Sequence, residues 1–176
     1  NSSILGGASN VVNISSQFST IAGGLNNQIC VSSLANFIGA GNQNRVGGQY
    51  SSVLNGANNT VSTSQSSIVG GSCNTSLGSG DIIGGGRLNK TNPSNTYQNI
   101  LGGVSNQALG SCSSVVGGSS NSVSSIASFI GGGFTNKINN LSSCSSIVGG
   151  SYNTSVGTRN YIGGGSNNTV TGDFSS

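Results

Sequence analysis

Aliphatic residues return along this chain at fixed places among small polar ones. An Ile or Val is followed three places on by glycine, and three places after that by asparagine, eleven times over. The anchors are Ile4, Ile21, Ile38, Val53, Ile68, Ile83, Ile100, Val115, Ile130, Ile147 and Ile162, in steps of 15 or 17 residues. The glycines are Gly7, Gly24, Gly41, Gly56, Gly71, Gly86, Gly103, Gly118, Gly133, Gly150 and Gly165. The asparagines are Asn10, Asn27, Asn44, Asn59, Asn74, Asn89, Asn106, Asn121, Asn136, Asn153 and Asn168. Polar and β-branched residues alternate around each anchor and again after each asparagine, as in Ser51-Ser52-Val53-Leu54-Asn55 and Asn59-Thr60-Val61-Ser62-Thr63. That period of two marks short strands with one buried face. A repeat this short, filling the whole chain, predicts an all-β parallel β-solenoid (β-roll) of about eleven coils, one repeat segment over residues 1–176.

Each coil is thus expected to hold two strands. The second buries Val12, Ile29, Val46, Val61, Val123, Ile138 and Val170, with Ser, Thr or Ala in the remaining coils. The glycine density excludes helices. Glycine at one turn position in every coil indicates positive φ or a close approach. Coils stacked about 4.8 Å apart give a rod of roughly 50 Å. Two structural readings of the asparagines stand: an amide-to-amide ladder along the axis, or a left-handed turn conformation, which Asn tolerates.

The longer coils, starting at Ile4, Ile21, Ile83 and Ile130, carry two extra residues. Two preserve the in/out alternation, where one would turn the core face outward. One insertion holds the only proline, Pro93, acceptable in a loop that bulges from the ladder.

A slower rhythm lies over the first. The residue before the anchor, usually Ser, Thr or Asn, becomes Phe37, Ile82 and Phe129 at every third coil, and the residue after it shrinks to Gly39, Gly84 and Gly131. Tyr161 with Gly163 repeats the pairing. Phe37, Ile82, Phe129 and Tyr161 are the candidate interface, on a face that is otherwise an exposed apolar strip. The same three coils carry Arg45, Lys90 and Lys137 just after the Asn, a candidate exposed basic row on the opposite face. Like charges in successive coils would repel.

Composition removes most chemistry. More than half of the residues are Gly, Ser, Asn or Thr, and only seven are charged, Arg45, Arg87, Lys90, Lys137 and Arg159 against Asp81 and Asp173. Five scattered cations are a weak footprint for nucleic acid, and no stretch has the length and apolarity of a membrane span. With no histidine and two distant aspartates, neither a nucleophile pair, a carboxylate pair nor a metal site is expected. An enzyme is not expected, nor is a cofactor. Cys112 and Cys144 share a coil position two coils apart, beyond easy disulfide reach, and Cys30 and Cys73 stand elsewhere. Eight Asn-x-Ser/Thr sequons occur, among them Asn58, Asn74, Asn89, Asn140, Asn153 and Asn167. Neither terminus reads as a cap, so a piece of a longer array is expected.

Ser66-Ser67-Ile68-Val69-Gly70-Gly71 and Ser128-Phe129-Ile130-Gly131-Gly132-Gly133 resemble the head repeats of trimeric autotransporter adhesins, the YadA-type β-roll. The resemblance covers every coil. It implies a left-handed roll, an extracellular or surface location on a cell, virion or secreted fibre, and several chains joined as a trimer or filament with a host-surface or glycan ligand. This chain departs from that repeat in using Asn and Ser where alanine is common. Asn59-Thr60-Val61-Ser62 and Asn168-Thr169-Val170-Thr171 are similar to half-coils of the grass antifreeze β-roll, which implies ice binding. The functions open to the sequence are a structural or adhesive fibre segment, an ice-binding solenoid and a glycan-binding module.

Overall fold

The computed structural model describes residues 1–175. The chain is a β-solenoid of two parallel sheets, each 11-stranded. The first sheet contains the anchors, from Ser3–Ile4 to Tyr161–Ile162, and the second follows the asparagines, from Val11–Val12 to Thr169–Thr171. Most strands are only two residues long because both corners of the coil interrupt them. No helix occurs among the described residues.

Register is kept at every step. Ile4 stands on Ile21, Ile21 on Ile38 and Ile38 on Val53, although the first two steps are 17 residues and the third is 15. The extra pairs of residues lie at the corner after the second strand, where Ile14–Ser15, Val31–Ser32, Pro93–Ser94 and Asn140–Leu141 form turns. Pro93 thus sits outside the sheets, and its missing N–H costs no ladder bond. A third column of single bridges, Ala8 on Leu25 on Asn42 and onward to Ser166, runs along the first corner.

The core is a double column between the sheets. Ile21, Ile38, Val53, Ile68, Ile83, Ile100, Val115, Ile130, Ile147 and Ile162 point in from the first sheet, facing Ile29, Val46, Val61, Ala108, Val123 and Ile138 of the second. Val12 and Val170 pack against it in part. The second column is broken by buried Ser76, Thr91 and Ser155. Each inward side chain gives roughly 1.5–3 kcal/mol on burial. The column is one residue wide per sheet, so the corners must contribute.

The corners are costly. Besides glycine, residues as different as Leu88, Tyr97, Thr135 and Tyr152 hold φ between 54° and 59°. A non-glycine residue in that left-handed region costs about 1–2 kcal/mol. Tertiary bonds at the corners offset the strain.

Candidate functional site

The first corner is built by glycine and asparagine together. The eleven turn glycines have φ from 81° to 103°. At Gly24 a Cβ would meet the Asn27 Nδ2 at 2.6 Å and the Gly41 nitrogen at 2.8 Å, so only glycine fits by conformation and by space. The space serves the asparagine amide. Asn106 Nδ2 donates to the Gly102 carbonyl of its own coil at 2.9 Å and to the Gly118 carbonyl of the next at 3.0 Å. Its Oδ1 accepts the Asn121 N–H at 3.0 Å. The same axial bond joins Asn10 to Asn27, Asn44 to Asn59 and Asn153 to Asn168.

The asparagine column therefore differs from an amide-to-amide ladder. Its axial bonds run from side chain to backbone, and direct amide contacts occur only from Asn44 to Asn27 and from Asn59 to Asn44, both 3.2 Å. The left-handed conformation falls on the residue before each asparagine, such as Asn26, Leu88 or Tyr152, not on the ladder residue itself.

The second corner holds another ladder, at the position two before each anchor. Ser19 Oγ accepts the Asn36 N–H, Asn36 Oδ1 accepts the Ser51 N–H, and Ser66 Oγ accepts the Asp81 N–H, at 3.2, 2.9 and 3.1 Å. It resumes from Ser128 to Ser145 to Asn160. Between them Gln98 turns away, its Oε1 accepting the Asn92 N–H at 2.6 Å. This column escapes a reading by residue type because Ser, Asn, Asp and Gln alternate in it. Their shared property is a side-chain oxygen that accepts, and the signal was the fixed polar place two before the anchor.

Asp81 is the one carboxyl in that ladder and is fully buried. Its oxygens accept the N–H groups of Gln98 and Gly78, each at 2.9 Å, and the Thr91 hydroxyl. Burial pushes its pKa up against the pull of those three bonds. Asp173 lies on the surface with its pKa held down, first by the Thr158 N–H and hydroxyl, at 2.7 and 2.8 Å. Beside it the Arg159 guanidinium covers the Phe174 ring at 4.7 Å.

The two outer sheet faces differ in chemistry. On the first, Phe37, Ile82, Phe129 and Tyr161 are exposed in the column before the anchors, beside Leu54, Val69, Leu101, Val116 and Val148 in the column after them. No position beside an anchor on this face carries a charge. A Cβ at Gly39 would meet the Phe37 Cε1 at 3.3 Å, and one at Gly131 the Phe129 Cε1 at 3.4 Å. Each ring leans over its own glycine. Those glycines also pass so close to the next coil, at the Leu54 and Val148 carbonyls, that no side chain fits. On the second face Arg45, Lys90 and Lys137 project outward, each paired with uncharged neighbours such as Thr60, Gln107 and Thr154.

Cys30, Cys73, Cys112 and Cys144 are free thiols. Among the described residues no three His, Cys, Asp or Glu side chains gather where a metal would sit. Among the described residues no helix is long and apolar enough to cross a membrane. The sequons divide by burial: Asn74, Asn89 and Asn153 are enclosed ladder residues, whereas Asn58, Asn140 and Asn167 are exposed in turns.

Together these features define a roll-type β-solenoid whose corners are scaffold and whose outer sheet faces differ, one apolar and one bearing cations. No protein-family model matches the chain, and comparison with curated proteins finds no match either.

Proposed function

We propose that this chain is a non-catalytic structural or adhesive segment of an extracellular fibre or surface adhesin. Its first sheet face packs against sister chains, and its second face meets solvent or a host-surface or glycan ligand. The observation that carries this reading is the uncharged apolar strip running through the coils of the first sheet, with Leu54 47% and Leu101 59% exposed. A contiguous apolar strip of this length marks an interaction surface. Light scattering across a range of concentrations tests it. The expected result is a species of two or more chains that Leu54→Lys and Val116→Lys together convert to monomer. A wild-type chain that stays monomeric at high concentration overturns the reading.

One observation favours a second reading. Thr60 stands on Thr75, and Thr154 on Thr169, as in-register outward pairs on the second face. Small hydroxyl rows of that kind suit ice binding, although Lys90 and Lys137 interrupt them. Thermal hysteresis in dilute solution is the measurement that would raise it.

A further inference from the structure

The first face has a ridge and a groove. In most coils one of the two outward positions beside the anchor is large and the other small, as with Ser52 beside Leu54 and Ser67 beside Val69. Phe37 reverses the order, but its ring leans back over Gly39 and so delivers its bulk toward the same column as Leu54. Apolar bulk therefore follows the column after the anchors in most coils, beside a shallower column floored mainly by hydroxyls, with Ile82 beside Gly84 as the exception. Ser52 and Ser67 bridge along that floor at 3.0 Å.

Two copies can close this face about a two-fold axis in two ways. An axis across the rod, along the strands, sets ridge on ridge and groove on groove. An axis along the rod exchanges the two columns, so the ridge of each chain faces the partner's groove, and Ile82 faces the partner's Gly84. Such interdigitation is how paired sheets form dry interfaces, and an isologous contact must be self-complementary. We propose that two copies of this chain pair through the first face with rods parallel, coils in register and the two-fold axis along the rod. The face is about 50 Å long and roughly 10 Å wide. Pairing then covers on the order of 1,000 Å² in total, where specific interfaces begin. The uncharged face lets two copies approach without repulsion, whereas Arg45, Lys90 and Lys137 would oppose pairing through the other.

This inference rests on the self-association proposed above, and the test separates the two. Nitroxide labels are placed at Thr20 or at Asn99 in a chain whose four cysteines are changed to serine, and inter-chain distances are read by pulsed electron spin resonance. Parallel pairing gives distances of roughly 10–20 Å at both sites, since paired sheets lie about 10 Å apart. Pairing about the crosswise axis leaves Asn99 near its mate but sends Thr20 to about 38 Å, eight coil steps away. A dimer with that long Thr20 distance overturns the parallel arrangement, as does a trimer, and both leave self-association standing. An unlabelled chain with its native residues that stays monomeric overturns both proposals. An independent measurement keeps the native cysteines: mixed Leu54→Lys and Ser52→Glu chains should associate at least tenfold more tightly than either alone, and no preference for the mixture counts against parallel register.

Discussion

The Asn106 side-chain oxygen accepts the N–H of Asn121, one coil on, at 3.0 Å, while its amide nitrogen reaches the Gly118 carbonyl at the same distance. One side chain thus ties its coil to the next through an acceptor and a donor. Asn106→Ala removes both and leaves a buried N–H unpaired, which costs about 1–3 kcal/mol for that group alone. Asn106→Asp keeps the acceptor but buries a charge without donors to spare, and should be worse near neutral pH. Thermal and urea melts check the order. An alanine variant as stable as wild type would mean the ladder contributes nothing.

Two glycines separate conformation from composition. Gly86 has φ 83°, and a Cβ there would meet the Asn89 Nδ2 at 2.7 Å, whereas at Gly102 nothing lies within 4 Å. Gly86→Ala should cost about 1–2 kcal/mol from the backbone and more from the clash. Gly102→Ala should be neutral or slightly stabilising, because alanine restricts the unfolded chain. Equal losses at both positions would contradict the turn described.

Ser76 and Ser155 point into the core with hydroxyls that find no partner. Ser76 stacks on Val61, and Ser155 lies between Ile138 and Val170. Valine at either site replaces an unpaired polar group with apolar contact and should stabilise by about 1–2 kcal/mol. The sites are five coils apart, so the gains should add. The check is the denaturation midpoint of the single and double variants, where a loss in all three would refute it.

Asp81 links stability to pH. Its pKa in the folded chain lies above the ordinary 3.8 because burial disfavours the charge. As pH rises past that value the unfolded chain gives up its proton first, so the folded state binds more protons across the window. The contribution of Asp81 therefore falls as pH rises from about 3.8 through the folded pKa, then levels. Relative to Asp81→Ser, wild type should be favoured most in acid and lose ground toward neutrality. Melting temperatures of both proteins from pH 3 to 7 decide it, and a gap moving the other way rejects the sign.

The sheets and the buried faces were legible because a period-two pattern and a constant register survive every change of residue. Ile21, Ile29 and Ile38 stand where their spacing puts them. The corners were less open to reading. Leu88, Thr135 and Tyr152 adopt a conformation their own preferences oppose, since bonds between coils outweigh local propensity. The serine-rich ladder was hidden for the converse reason: Ser51, Asp81 and Asn160 do one job with different groups. The leaning of Phe37 and Phe129 over their glycines needed side-chain positions, although the paired substitution was visible in sequence.

All four longer coils place their surplus at a single corner, and Ile14, Val31 and Leu141 stand far out in solvent there. The neighbouring ladders do not register the difference, for Gln17 still meets Leu34, and Leu34 meets Gln49. Girth and pitch are therefore independent in this rod. A peptide grafted between Asn140 and Leu141 would hang from the side like a flag from a pole, and several such grafts would be presented in file at distances fixed by counting coils.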